Sequence, residues 1–178
     1  MAKESDPLQP YLKKLKKDEL IEIILELSGD YRTIQRNLES RLNVQTPDSK
    51  LVETTKQAIA DATYFDEREI NRNFDFDYEA YALVAKNFDL LRQQARWADL
   101  RSLSIDLMNR ASYQLEMSDE GMMLDEIEEC FKPVVRAIPQ SGLSREDQRD
   151  WVKSLLAADR VCIVLRSQLI GLDEKLKQ

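Results

Sequence analysis

The chain has 178 residues, of which 43% are hydrophobic and 33% are charged, and its net charge is −7. This length suits one domain, or one domain with a small appended unit, and the composition is typical of a soluble helical protein. Histidine is absent, which excludes a Ser-His-Asp or Cys-His catalytic arrangement and a two-Cys, two-His zinc site within the chain. No apolar run approaches the roughly 20 residues that span a bilayer, and we expect a cytoplasmic protein.

The first 45 residues predict a tail followed by a helical hairpin. Asp18 is the predicted N-cap of a first helix, Glu19–Leu27, and Gly29 is suited to end it. A second helix is predicted over Tyr31–Leu42, and a linker follows at 43–48. The first helix is expected to turn four apolar side chains inward: Leu20, Ile23, Ile24 and Leu27.

Residues 46–178 predict a main helical domain, which could also be continuous with the hairpin. Leu51 begins one helix, Asp77 is a plausible N-cap for the next at 78–94, and Ser118 is expected to cap a later one. Three apolar stripes recur every three or four residues, the spacing that places side chains on one helical face. They are Tyr81, Val84, Ala85, Phe88 and Leu91; Trp97, Leu100, Leu103, Leu107, Ala111 and Leu115; and Met123, Ile127, Cys130, Phe131, Val134 and Ile138.

The last predicted helix begins at a capping box, Ser144 to Asp147, and Gly171 is expected to stop it. It carries apolar residues on two sides, which is too many for a one-sided surface helix. It therefore lies at the centre of a bundle or in an interface, and a homodimer is plausible. The residues on its two sides are Trp151, Leu155, Cys162 and Leu169, and Val152, Leu156 and Ile163.

Together these helices predict an all-α fold of stacked antiparallel hairpins that form a right-handed, repeat-like array. The helix pairs recur at roughly 35–45 residues, which is the range of helical-repeat proteins. The two cysteines, Cys130 and Cys162, both fall on predicted apolar helical faces. Buried free thiols are the favoured interpretation, and a disulfide is only weakly motivated because such bonds are rare in the cytosol.

The acidic excess lies in the middle of the chain, where residues 61–140 carry 9 basic and 17 acidic residues. Its densest part is a candidate surface for a basic protein partner. The candidate surface comprises Asp119, Glu120, Asp125, Glu126 and Glu129. The alternatives are a solvated helix face and a Mg²⁺- or Mn²⁺-dependent hydrolase that uses Asp119, Asp125 and Glu129.

Two smaller features have a structural and a functional interpretation. The carboxylates around Asp77 are able to bind a cation, although helix capping is the favoured interpretation. Aromatic side chains on the helical stripes could line a groove, but such residues more often belong to a core. The aromatic residues concerned are Trp97, Trp151, Tyr78, Tyr81 and Tyr113.

Four lysines near the start of the chain suggest an alternative function. Lys13, Lys14, Lys16 and Lys17 are able to contact phosphates. The segment resembles the small DNA- or RNA-binding helix-extended-loop-helix modules of the SAP and Rho-N-terminal type. Residues 1–60 nevertheless carry 10 basic and 10 acidic residues, and a neutral region is a weak footprint for nucleic acid.

The chain also resembles a helical region found with SWIM zinc-finger proteins in bacteria. The matching blocks begin at Leu15-Lys16-Lys17-Asp18-Glu19-Leu20, at Phe76-Asp77-Tyr78-Glu79-Ala80-Tyr81-Ala82 and at Ser118-Asp119-Glu120-Gly121. The resemblance implies an all-α, repeat-like domain of poorly defined function and transfers no catalytic residue. The resemblance does not extend to the zinc finger itself, because that finger needs three Cys and one His, whereas this chain has two Cys and no His.

The sequence thus predicts a non-enzymatic protein–protein interaction or scaffold module with an acidic central surface. A protein partner is expected, together with a homodimer as a plausible state, and neither a membrane nor a cofactor or metal is expected. The alternative is a nucleic-acid-associated accessory protein that binds through the lysine-flanked hairpin.

Overall fold

In a computed structural model of the protein, the structure describes residues 7–31, 34–35, 38, 50–66, 68, 76–118 and 124–177. The chain divides into two compact units, Met1–Gln45 and Thr46–Gln178. Within the described ranges the regular structure is helical and no strand occurs, which confirms the all-α prediction. No helix among these residues is both long and apolar enough to cross a membrane.

The described helices of the first unit are a short α1, Gln9–Leu12, and α2, Lys17–Asp30. The predicted N-cap at Asp18 is wrong, because α2 begins two residues earlier than predicted, at Lys17, and Lys16 is its N-cap. The Lys16 backbone N–H donates to Oε2 of Glu19 at 2.6 Å. Asp18 instead lies in the first turn, where a carboxylate favours the positive end of the helix dipole.

The end of α2 also differs from the prediction. Gly29 lies inside the helix, which continues to Asp30 and ends at Tyr31 with an extended φ of −123°. The left-handed cap expected at Gly29 is therefore absent, since the helix needs no positive φ there. Of the predicted helix over 31–42, Tyr31 is the C-terminal cap of α2, the described residues Ile34, Gln35 and Leu38 are helical, and the other residues lie outside the described ones.

The second unit contains the longer helices. The described helices are α3 (Leu51–Ala62), α4 (Tyr78–Gln93), α5 (Trp97–Met117), α6 (Leu124–Gln140), α7 (Arg145–Ala158) and α8 (Arg166–Lys177). Helix α4 packs most extensively against α3 and α6, α5 packs against α7, and α7 packs against α8.

Two predicted caps are confirmed. An oxygen of the Asp77 carboxylate accepts from the Ala80 N–H at 2.9 Å at the start of α4. The Ser144 hydroxyl accepts from the Asp147 N–H at 3.1 Å at the start of α7. Ser118, expected to begin a helix, is the C-terminal cap of α5, and residues 119–123 lie outside the described residues.

The predicted last helix is two helices, which is the largest error of the sequence interpretation. It breaks after Ala158, and Asp159 accepts from the backbone N–H groups of Cys162 at 3.1 Å and Val164 at 3.0 Å. Cys162 and Leu165 have φ of 59° and 51°, which are backbone angles that residues other than glycine rarely adopt. Gly171, expected to stop the helix, lies within α8.

The connection between α7 and α8, which spans 159–165, is attached to two neighbouring helices. On α5, the Ser112 hydroxyl donates to the Ala158 carbonyl and accepts from the Arg160 N–H, both at 3.1 Å. On α6, Oε1 of Glu128 accepts from the Leu165 N–H at 3.1 Å. These bonds fix the break in place of helical hydrogen bonds.

The three predicted stripes form the core of the second unit. Most of their described members are buried, while Ala85, Trp97 and Leu115 are half-buried and pack against the cluster, and Met123 lies outside the described residues. The buried members are Tyr81, Val84, Phe88, Leu91, Leu100, Leu103, Leu107, Ala111, Ile127, Cys130, Phe131, Val134 and Ile138.

A buried chain of polar groups crosses this core. The Tyr81 hydroxyl donates to Oε1 of Gln114 at 2.7 Å, and Nε2 of Gln114 donates to the Ala62 carbonyl at 3.2 Å. The Cys130 thiol donates to the Tyr81 carbonyl at 3.1 Å. One connected set of hydrogen bonds therefore joins α3, α4, α5 and α6, and each of these buried side chains gains a partner.

Candidate interaction surface

The apolar side of helix α2, which the sequence predicts to be buried, is exposed. None of its 14 residues is buried, and the expected inward positions Ile23, Ile24 and Leu27 are all exposed. Leu20 is half-buried. The prediction fails because periodicity shows which side of a helix is apolar, whereas burial depends on what packs against that side.

We call the exposed large side chains of this helix the α2 apolar face. At 100° per residue its members occupy an arc of about 200°, roughly twice what packing against one neighbour requires. More exposed apolar side chains flank it, namely Leu8, Tyr11, Leu12 and Tyr31. The α2 apolar face consists of Ile21, Ile23, Ile24, Leu25 and Leu27.

The opposite side of α2 is acidic. Asp18, Glu22 and Glu26 follow one another at intervals of four residues and so share one side of the helix. All three are exposed. The helix is therefore amphipathic, with an uncovered apolar arc beside a row of carboxylates.

The four predicted lysines lie at the start of this helix. Lys13 and Lys14 follow α1, Lys16 is the N-cap of α2 and Lys17 is its first residue. All four are exposed, and within the described part of the chain none forms an ion pair. Nζ of Lys14 lies 5.9 Å from the ring centroid of Tyr11, a cation–π contact that leaves the ammonium group accessible.

The predicted acidic surface is described only in part. Asp119 and Glu120 lie outside the described residues, whereas Asp125 and Glu129 are exposed on the first turns of α6. Glu129 forms an ion pair with Lys132 on the same helix. Among the described residues no three potential metal-ligating side chains come together; Asp119, one of the three carboxylates of the hydrolase hypothesis, lies outside them.

Two carboxylates of α6 have buried environments that the sequence does not reveal. Oε2 of Glu126 is buried without a hydrogen-bond partner, and Glu128, absent from the predicted surface, holds the Leu165 N–H. Glu126 and Glu128 are half-buried, so Asp125 and Glu129 are the described members of the predicted acidic surface that are exposed.

One predicted aromatic residue does line a pocket. Trp97 is half-buried at the start of α5, whereas Trp151 and Tyr81 are fully buried in the core. The pocket has a volume of about 340 Å³ and a mostly apolar lining formed by Trp97, Ala98, Arg101, Ser102, Ile105 and Leu143.

Comparison with protein-family models, with curated proteins and with solved structures finds no match to this chain. The similarity to the SWIM-associated helical region thus remains a resemblance of short motifs.

Proposed function

We propose that the protein is a non-enzymatic protein–protein interaction module and that it binds through the α2 apolar face. The observation that carries this proposal is that α2 has five exposed large apolar side chains and no buried residue. Contiguous exposed apolar surface on a folded protein marks an interaction site. Moving one such side chain from full exposure to full burial contributes about 1.5–3 kcal/mol of favourable free energy.

The acidic row of α2 favours a protein partner over a lipid surface or nucleic acid. Amphipathic helices that bind anionic membranes carry Lys and Arg on the polar side, whereas this side carries Asp18, Glu22 and Glu26. Phosphates would be repelled by the same carboxylates. The four exposed lysines support nucleic-acid binding as a second candidate, but they occupy only one end of the segment.

The second unit supplies the scaffold in this proposal. Contacts between helices two apart, α4 with α6 and α5 with α7, are expected where antiparallel hairpins stack. They support the repeat-like array that the sequence predicts, as does the resemblance to the SWIM-associated helical region, and its right-handed sense stays a prediction. Asp125 and Glu129 on α6 would favour a partner with basic groups facing this unit.

A cytoplasmic location belongs to the same proposal. Both cysteines are free thiols, and Cys162 is exposed. An exposed thiol persists most readily in a reducing compartment.

Site-specific photo-crosslinking in cells tests the proposed function. A photoreactive amino acid at Leu25 is expected to give an adduct of defined mass, because that side chain is 65% exposed on the α2 apolar face. The matched position is Ile163, which is 53% exposed in the second unit and should give no such adduct. Loss of the Leu25 adduct in an Ile21→Glu variant would show that the apolar face is required.

The same experiment separates the second candidate. An adduct that survives nuclease supports a protein partner, whereas an adduct that nuclease removes supports nucleic acid and contradicts the proposal. Equal labelling from Leu25 and Ile163 would also contradict it, since the α2 apolar face would then have no preference over other exposed apolar positions.

A further inference from the structure

We propose that the partner of the α2 apolar face is a second copy of this chain, paired so that the two α2 helices run antiparallel about a two-fold axis. This inference rests on the proposed function, because it names the partner of the same surface. An isologous contact of this kind needs a surface that is complementary to itself. The charge pattern around α2 meets that requirement.

Charge is segregated along the segment that contains α2. Residues 13–17 carry four lysines, and residues 18–30 carry five carboxylates and no basic residue. When two copies run antiparallel, the lysines of each copy lie beside the acidic C-terminal end of the other. A parallel pair would place lysines beside lysines. The five carboxylates are Asp18, Glu19, Glu22, Glu26 and Asp30.

The charges at the two ends of α2 are available for this pairing. Within the described part of the chain, neither the four lysines nor Glu22, Glu26 and Asp30 form an ion pair. The exposure of these side chains places them at the surface of the first unit. An antiparallel partner would supply opposite charges at both ends at once.

The helix dipole gives a second reason for the antiparallel direction. A carboxylate at a helix C-terminus opposes the dipole, whereas a cation there is favourable. Asp18 and Glu19 already favour the dipole in the first turn of α2, but its last turn ends at Asp30 and has no basic residue. An antiparallel partner would bring its lysines to this C-terminal end, which offsets the unfavourable term there.

The exposed apolar area of the first unit is comparable to that of a standard interface. Nine large apolar side chains of the first unit, on α2 and flanking it, are between 37% and 70% exposed. At about 100 Å² for a fully exposed side chain they present on the order of 450 Å². A standard interface of about 800 Å² per partner, with slightly more than half of it apolar, needs a similar area.

Sedimentation equilibrium of the full chain tests the pairing. We expect the wild-type protein to have the mass of two chains of 20.8 kDa. Replacing Lys16 and Lys17 by Glu, or Glu26 and Asp30 by Lys, should each weaken association by about tenfold or more, because each change turns attraction into repulsion at both ends of the pair. An equimolar mixture of the two variants should regain the wild-type affinity.

Two controls isolate the surface. Lys56 and Lys153 are exposed lysines of the second unit, and their replacement by Glu changes net charge as much as the Lys16 and Lys17 variant does. Association should remain unchanged in that control. Ile21→Glu should dissociate the dimer, and Ile163→Glu should not. Circular dichroism of each variant establishes that the helices remain folded.

The outcomes distinguish this inference from the proposed function. A wild-type protein with the mass of one chain up to about 100 µM overturns self-pairing, and a Leu25 adduct with a different protein would then leave the proposed function intact. Dissociation by Ile21→Glu without an effect of either charge reversal overturns the antiparallel arrangement. Failure of the mixture to re-associate overturns it as well. If the photoreactive group at Leu25 gives no adduct in an otherwise unchanged chain and the wild-type protein is a monomer, both proposals are contradicted.

Discussion

A single hydroxyl group connects two central helices of the second unit. The Tyr81 hydroxyl donates to Gln114, which in turn donates to the end of α3, and both side chains are buried. Replacing Tyr81 by Phe leaves Oε1 of Gln114 buried without a donor. We expect the free energy of unfolding in urea to fall by about 1–3 kcal/mol, which is the cost of one unsatisfied buried polar group.

An exposed tyrosine provides the matched control for this change. Tyr64 is 73% exposed, so Tyr64→Phe should alter the free energy of unfolding by no more than about 0.5 kcal/mol. Equal effects of the two replacements would show that the hydrogen bond to Gln114 does not stabilise the core.

The two cysteines should differ sharply in reactivity. Cys130 is buried, and burial raises the pKa of its thiol to about 12, so the reactive thiolate is scarce at neutral pH. Cys162 is exposed. With a colorimetric disulfide reagent, one thiol should react at once in the folded protein and the other only after unfolding. Cys162→Ser should remove the fast phase, and a fast phase that persists would contradict the assignment.

At the scale of an element, the break between α7 and α8 shows what the sequence conceals. The apolar spacing continues from Trp151 through Cys162 to Leu169, and neither glycine nor proline interrupts it there. The break is made by Asp159, whose carboxylate takes two backbone N–H groups that a continuous helix would not offer it. Local patterns predict helices well, but they do not reveal a side chain that competes for the backbone.

The same distinction explains why the candidate site was only partly predictable. The sequence shows that Ile23, Ile24 and Leu27 share an apolar side, and the structure shows that nothing in the described chain buries them. The core stripes on α4, α5 and α6 were predicted correctly because each of those helices has several neighbours. Periodicity determines the face of a helix, and the contacts that cover it depend on the whole fold.

The carboxylate at the break should have a measurable role. Asp159→Asn keeps the size of the side chain but turns one acceptor into a donor that faces a backbone N–H. We expect the free energy of unfolding to fall by about 1–3 kcal/mol at neutral pH. Asp150→Asn on α7 is a suitable control, because that side chain is exposed, and it should change the free energy of unfolding by no more than about 0.5 kcal/mol.

The pH dependence of this effect has a definite sign. Burial raises the pKa of Asp159, and the N–H groups of Val164 and Cys162 only partly oppose the shift. Because the folded state then binds the proton more tightly than the unfolded chain does, the contribution of Asp159 is present below its usual pKa and is lost as pH rises through the folded value. The cost of Asp159→Asn in urea should therefore be larger at about pH 4 than at about pH 7. A larger cost at the higher pH would contradict the shift.

At the scale of the whole molecule, the two units differ in how much hydrophobic core their described residues form. The core cluster and the side chains packed against it lie between Leu51 and Leu176, all within the second unit. The first unit contributes α2, which has no buried residue. Stability and association are thus expected to reside in different parts of the chain, with folding determined by the second unit and self-pairing by the first.

Removal of residues 1–45 tests this division of roles. Because the core cluster begins at Leu51, we expect the shortened chain to keep its helical signal and to unfold within about 3 °C of the full chain at equal monomer concentration, a difference of less than about 1 kcal/mol. Its mass by sedimentation should be that of one chain, since the α2 apolar face is gone. Ile21→Glu in the full chain is the control, because it should change the mass in the same way while retaining every residue of the first unit. A drop of more than about 10 °C, or a shortened chain that still associates as a pair, would contradict the assignment of folding to one unit and pairing to the other.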